Sequence, residues 1–317
     1  MVSKVLIIGA CGQIGSELTN RLRLELGVEN VIASDIRESN MELVASGPFE
    51  IMDAKSLKQI KHCIKKHNVD TVYLMAALLS ATGEKFPQKA WSLNTTSLLN
   101  VLNLAKDKVI SKVFWPSSIA VFGPTTPKTN TPQQTIMEPT TVYGITKQVG
   151  ERWCEYYHNN YDVDVRSIRY PGIISWKTLP GGGTTDYAID IFHKAINEGH
   201  YDCFLTEDTA LPMMFMDDAV KATLDIMNAN PENVKIRSSY NLSAISFTPK
   251  QLAAQITKRL PEFTISYTPD FRQKIANSWP NSIDDTAARQ DWYWEHDYDL
   301  ETITNEMLLQ LGEKAIS

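Results

Sequence analysis

The run Val5-Leu6-Ile7-Ile8-Gly9-Ala10-Cys11-Gly12-Gln13-Ile14-Gly15 is an apolar strand leading into a glycine loop that opens a helix. Small residues at 9, 12 and 15 let a backbone approach a phosphate closely. The N-terminus of a helix beginning near Gln13 offers unbonded N–H groups and the positive end of its dipole. An ordinary tight turn also satisfies a glycine pattern taken alone. Here a strand precedes it, a helix follows it, and about twenty residues on Asp35 ends the run Val31-Ile32-Ala33-Ser34. That context is the one a dinucleotide-binding loop needs, with Gly9, Gly12, Gln13, Ile14 and Gly15 as contact residues.

Outward from this stretch, short β-branched runs alternate with helical patterns: strand 5–8, helix from about 13, strand 29–34, helix 55–67, strand 69–75, helix 88–106, strand 111–116, helix 142–159, strand 163–168. Alternation of this kind implies parallel strands joined by right-handed crossovers, an α/β doubly wound parallel Rossmann sheet. After Arg169-Tyr170-Pro171-Gly172 the texture changes. Helices are expected at 186–198, 217–228, 248–260 and 299–311, with a Pro-bounded stretch from Thr209 to Met216. The expected division is a nucleotide-binding domain over 1–170 and a smaller C-terminal substrate-binding lobe over 171–317, some of whose segments return to the first domain.

The bulk composition narrows the partners. Hydrophobic residues at 43% and charged residues at 21% are ordinary for a folded globular chain of 317 residues. The net charge of -6 comes without a long basic run. The densest cluster, Lys55 to Lys66, has Leu57, Ile60 and Ile64 at helical spacing and reads as a solvated helix face. Nucleic acid and anionic membrane are therefore not expected as partners. Cys11, Cys63, Cys154 and Cys203 form no CxxC pair, and the six histidines form no HExxH arrangement, so neither a disulfide framework nor a metal site is expected. The first strand begins almost at Met1 and no apolar run reaches membrane-spanning length, which predicts a cytoplasmic protein without a leader.

Asp35 bears on cofactor choice. A carboxylate there accepts hydrogen bonds from the adenosine ribose and repels a 2′-phosphate, which selects NAD over NADP. Ile36 and Arg37 flank the same position, and Arg37 is the counter-signal, since a guanidinium can hold that phosphate.

The second constellation is Tyr143-Gly144-Ile145-Thr146-Lys147, a phenol and an ammonium one helical turn apart on one face. A phenol with a reference pKa of about 10 is a weak base at neutral pH, and a fixed cation beside it favours the phenolate. Such a pair can remove a hydroxyl proton as hydride leaves carbon. The same spacing also occurs on exposed helices with no function. Pro116-Ser117-Ser118-Ile119-Ala120-Val121-Phe122-Gly123, after Val113-Phe114-Trp115, adds a candidate hydroxyl, Ser118, to steady the substrate oxygen. Ser117 reads equally as a turn-capping serine.

The GxxGxxG spacing, the Ser118 segment and the Tyr143/Lys147 pair resemble the extended short-chain dehydrogenases. That resemblance implies that Asp53 meets adenine, that Ala76 and Ala77 pass the nicotinamide ribose, that Asn94 is a structural asparagine of the cofactor site, that Ile173 completes the nucleotide contacts, and that Lys147 also holds the ribose. Within that group, Pro171-Gly172-Ile173-Ile174-Ser175-Trp176, Pro180-Gly181-Gly182-Gly183-Thr184-Thr185-Asp186-Tyr187-Ala188 and Arg272 through Asp285 are similar to the L-threonine 3-dehydrogenases of the short-chain type. The resemblance implies oxidation of the β-hydroxyl of L-threonine by NAD to 2-amino-3-oxobutyrate without metal. Expected substrate contacts are Ser80, Ser118, Tyr143, Gly183, Thr184, Thr185 and Trp279, the glycine loop offering N–H donors to a carboxylate. A mobile surface loop and a core aromatic are the plainer alternatives for the glycines and Trp279.

Two other classes compete. Nucleotide-sugar epimerases and dehydratases carry a diphosphate-gripping arginine where this chain has Ala210-Leu211-Pro212-Met213-Met214-Phe215, a stretch that would compensate a pyrophosphate poorly. A redox-sensing nucleotide binder would not need the Ser118, Tyr143 and Lys147 set. Relatives pair two long helices across a two-fold axis, which implies a homodimer through 88–106 and 142–159. Leu98, Leu102, Trp153 and Tyr157 are candidate contacts, although burial in the chain's own core explains them as well.

Overall fold

In the computed structural model, residues 3–181 and 183–316 are described, apart from the side chains of 80, 81 and 313–316. The chain forms two compact units, Met1–Val121 with Thr140–Arg169 and Val220–Tyr240, and Phe122–Pro139 with Tyr170–Ala219 and Asn241–Ser317. Segment 122–139 thus belongs with the second unit and 220–240 with the first.

The first unit is laid out by β1 (Val5–Ile8), α1 (Gln13–Leu26), β2 (Val31–Asp35), α2 (Met41–Ala45), β3 (Phe49–Ile51), α3 (Leu57–His67), β4 (Thr71–Leu74), α4 (Ser80–Lys85), α5 (Pro87–Lys106), β5 (Lys112–Phe114), β6 (Ser117–Ser118), α6 (Val142–Tyr161), β7 (Asp164–Arg166) and β8 (Ile168–Tyr170). Among the described residues a six-stranded sheet runs in the order β3-β2-β1-β4-β5-β7. Its pairings are parallel, with Val5 opposite both Val31 and Thr71. The order steps outward from β1 in both directions, so the loops after β1 and β4 lie side by side at the sheet's C-terminal edge. This is the switch point where doubly wound folds bind ligands.

Strands buried on both faces need apolar residues throughout, and β1 has all four positions buried. The helices bury one stripe each. Ile60, Cys63 and Ile64 of α3 and Leu98, Val101 and Leu102 of α5 enter one core with Leu6, Val72 and Val113. Each such side chain contributes about 1.5–3 kcal/mol on burial. Leu98, Leu102 and Tyr157 are therefore core residues of this unit; of the four residues expected on a dimer face, Trp153 alone keeps a substantial exposure, 36%.

The second unit contains β9 (Gly172–Ile174), α7 (Tyr187–Glu198), β10 (His200–Cys203), β11 (Leu211–Phe215) and the start of α8 (Met216–Asn228). After β12 (Tyr240–Asn241) it continues with β13 (Ile245–Phe247), α9 (Pro249–Arg259), β14 (Thr264–Tyr267) and three further helices. β11 pairs parallel with β9 and antiparallel with β13, and β10 pairs parallel with β14. Within the Pro-bounded stretch, Leu211–Phe215 is thus a fully buried strand. No helix among the described residues is long and apolar enough to cross a membrane.

Candidate active site

The glycine loop is folded onto the sheet by its own backbone. Gly9 and Ala10 both donate to the Ser34 carbonyl at 2.9 Å, and Gly12 donates to Gly9 at 3.2 Å. Gly9 has φ +92°, and a Cβ there would lie 2.5 Å from the Ala76 nitrogen. No other residue suits that position. A Cβ at Gly15 would lie 2.2 Å from the Gly9 carbonyl oxygen, so Gly15 lets α1 seat on the loop. Gly12 is different: its Cβ would meet only the Gly9 oxygen, at 3.3 Å. Gly12 is also the N-cap of α1, no side chain caps that terminus, and its first turn holds no acid. Open space in front of uncapped N–H groups is a cradle for an anion, and a dinucleotide pyrophosphate fits it.

Asp35 stands beside this loop. Its carboxylate accepts from Cys11 N at 3.0 Å and Ile36 N at 2.8 Å, which fixes its orientation while leaving acceptor capacity for a ribose. Met52 N donates to the Asp35 carbonyl at 2.8 Å, bringing the Asp53 turn alongside. Met75 N and Ala76 N donate to the Ile8 carbonyl, so Ala76 and Ala77 start a segment packed against the glycine loop. Asn94 has a different task from cofactor contact. Its amide accepts from Leu78 N at 2.9 Å and donates to Leu78 O at 3.1 Å and to Thr146 Oγ1 at 3.0 Å. The side chain is spent on the protein, and it ties the 76–78 segment to α6.

Thr141 caps α6 by accepting from Gly144 N, and Glu84 of α4 accepts from Val142 N at 2.7 Å. Tyr143 therefore stands in the first turn, with Lys147 one turn on. Ser118 hydrogen-bonds the Tyr143 phenol. Lys147 Nζ donates to the Pro116 carbonyl at 2.5 Å, sits 4.5 Å over the Trp115 ring and is 5.5 Å from the Tyr143 ring. Trp115 fits against α6 because residue 150 is glycine, where a Cβ would lie 2.3 Å from the indole.

Burial acts on both members of the Tyr143/Lys147 pair. Burial pushes Tyr143 up to about 12, with the Ser118 hydrogen bond pulling the other way. Burial also brings Lys147 down to about 7, opposed by Cys154 and Glu151. Desolvation drives each group toward neutrality. Ser117 is no turn cap: its hydroxyl donates to Glu151 Oε1 at 2.6 Å, inside a buried ion pair with Arg169. Trp115, Glu151 and Arg169 carry no local motif that marks them for the site. The available signals were Glu151 at four residues beyond Lys147, and an arginine inside the apolar strand β8.

The second unit holds the remaining candidates. Gly181 N and Gly183 N both donate to Asp186 Oδ2, at 2.7 and 2.8 Å. The loop does bind a carboxylate, but it is its own, so the expected Gly183 donor is engaged. Gly182 lies outside the described residues, as does the side chain of Ser80. Thr184 is buried, Thr185 is partly exposed and packs on Gly172, and Ile173 is partly exposed on β9. Trp279 is 7% exposed, in a turn whose Ser278 carbonyl accepts from Lys128 at 2.7 Å.

The model of the NAD dependent epimerase/dehydratase family matches residues 5–243. An uncharacterized epimerase/dehydratase of Staphylococcus aureus (strain USA300) is 46% identical over 99% of this chain and 98% of its own length. Among solved structures, a GalE-like L-threonine dehydrogenase from Cupriavidus necator in its holo form is 55% identical, with TM-score 0.94, over 97% of this chain and 99% of that one. The L-threonine dehydrogenase of Clostridium difficile is 45% identical, with TM-score 0.97, over 100% and 99%. The chain belongs to the NAD dependent epimerase/dehydratase family, and NAD is its cofactor.

Proposed function

We propose that the protein oxidises the β-hydroxyl of L-threonine to 2-amino-3-oxobutyrate, with Ser118, Tyr143 and Lys147 as the catalytic residues. The observation that carries this reading is the Ser118–Tyr143–Lys147 constellation, on a helix that Asn94 ties to the 76–78 segment packed on the Gly9–Gly15 loop, in a chain similar along its whole length to L-threonine dehydrogenases. Bound NAD supplies the hydride acceptor and a positive charge that favours the phenolate. Tyr143 takes the proton of the substrate hydroxyl, Ser118 donates to the same oxygen as it becomes a carbonyl, and Lys147 holds the ribose and the phenolate charge. Gly12, Gln13, Ile14 and Gly15 hold the pyrophosphate, Asp35 the adenosine ribose and Asp53 the adenine, with Ile36, Arg37, Ala76, Ala77 and Ile173 completing the cofactor contacts. Thr185 and Trp279 are assigned to the substrate.

The epimerase or dehydratase alternative gains nothing from β11, which is buried, apolar and without a cation to hold a diphosphate. We assign the protein to a homodimer through the outer face of α6, where Trp153, Tyr156 and Tyr161 are 36%, 46% and 41% exposed and stack edge to face with Tyr157. An exposed aromatic cluster of that kind favours association. Sedimentation of wild type and Tyr156→Glu tests it: a dimer converted to a monomer supports the assignment, and a monomeric wild type refutes it. The activity itself is tested by turnover of L- against D-threonine with NAD+, with Tyr143→Phe alongside. Turnover confined to the L isomer and lost in the variant supports it; an undiminished Tyr143→Phe enzyme refutes the assigned base.

A further inference from the structure

We propose that Glu151 is a positioning residue for the Tyr143/Lys147 chemistry, fastening segment 116–118, and with it the Lys147 acceptor and Ser118, to α6. Glu151 lies two turns beyond Tyr143 on the same face of α6 and is fully buried. Its carboxylate accepts from Ser117 Oγ at 2.6 Å, from Arg169 Nε at 2.9 Å and from Arg169 Nη2 at 2.8 Å. Three consecutive residues then meet three consecutive turns of one helix. Ser118 bonds Tyr143, the Pro116 carbonyl accepts from Lys147, and Ser117 donates to Glu151. Movement of this segment displaces the lysine's acceptor and the catalytic hydroxyl together.

Among the described residues, Cys154 and Glu151 on α6 act on the Lys147 charge, Tyr143 stands one turn away, and Arg169 on β8 is paired with Glu151. Burial raises the phenol and the thiol, so both are neutral at pH 7. Glu151, paired with Arg169 at 2.8 Å, works against the lowering of the Lys147 pKa by burial.

This inference rests on the proposed dehydrogenase reading, and the experiment separates the two. The pH profiles of kcat and KM for L-threonine oxidation, and of NADH affinity by fluorescence titration, are measured for wild type, Tyr143→Phe, Ser117→Ala, Glu151→Gln and Glu151→Gln/Arg169→Met. Removing one member of a buried pair strands the other charge, so the double variant, which strands neither, carries the test if the single variant does not fold. In the Glu151 variants, kcat is expected to fall at least about tenfold, with the KM for NAD+ little changed. The alkaline limbs of kcat and of NADH affinity are expected to move down by about one pH unit, a shift that a merely structural role would not produce. Ser117→Ala is expected to lower kcat severalfold without moving the limb. Folded Glu151 variants with wild-type limbs and kcat within about twofold overturn the inference while a dead Tyr143→Phe leaves the reading standing. Undiminished turnover in Tyr143→Phe overturns the reading itself.

Discussion

Replacing Gly12 by alanine separates the loop's binding role from its structural one. The residue has φ -75°, open to alanine without strain, and its Cβ would approach only the Gly9 oxygen, at 3.3 Å. Alanine is a poorer N-cap than glycine by about 0.5–1 kcal/mol, and a stiffer unfolded chain offsets this by about 0.4–1 kcal/mol. The melting temperature should therefore move by no more than about 2 °C. The nucleotide meets a larger penalty, because a methyl group now stands between the pyrophosphate and the helix N-terminus. Loss of one hydrogen bond to a charged phosphate costs about 1.5–3 kcal/mol, which is roughly a ten- to hundredfold rise in Kd. Calorimetric titration with NAD+, beside a thermal melt, reads both quantities. Gly15→Ala is the contrasting control: its Cβ at 2.2 Å from the Gly9 oxygen should cost fold and affinity together. A Gly12→Ala protein that binds NAD+ within about twofold of wild type would refute the placement of the phosphates at this helix.

Three further outcomes are expected. Lys147 has a folded pKa of about 7 against 10.5 for the free group, so between those values the unfolded chain binds more protons and stability rises with pH. Lys147→Met should accordingly stabilise the cofactor-free protein by on the order of a few kcal/mol at neutral pH, abolish turnover, and lose its stability advantage toward pH ~10; denaturant melts across pH check this, and a pH-independent difference contradicts it. Asp35→Asn should raise kcat/KM for NADP+ relative to NAD+ by at least about tenfold, since it removes a charge that repels the 2′-phosphate beside Arg37. Asn94→Ala should leave the Leu78 N–H and carbonyl without their side-chain partner at about 1–3 kcal/mol each, lowering the melting temperature and raising the KM for NAD+ as the 76–78 segment loosens.

The parts legible in the sequence are those written locally. β1, the glycine loop and α1 are contiguous, and their hydrophobic pattern, small residues and helix start all point to one structure. Tyr143 and Lys147 are visible because four residues is one helical turn. Sequence distance hides the rest. Ser117, Glu151 and Arg169 become neighbours only when β6, α6 and β8 pack, and nothing near any one of them names its partner. The Gly181–Gly183 loop reads as an anion cradle, and its glycines alone do not tell a bound substrate from Asp186 folding back on it. A cut near residue 170 is clear in the texture, whereas the return of 220–240 to the first unit is decided by long-range contacts such as Arg166 Nη1 donating to the Ile226, Met227 and Ala229 carbonyls.

The most direct measurement of the proposed activity follows the hydrogen itself. L-threonine deuterated at its β-carbon is mixed with NAD+ and the purified protein, and the reduced nucleotide is isolated and analysed by mass. Deuterium carried into NADH, with a primary isotope effect on turnover and the Tyr143→Phe variant inactive, is the expected result. Nucleotide that stays oxidised and protein-bound while L-threonine is recovered unchanged would contradict the assignment and favour a reaction in which NAD is never released.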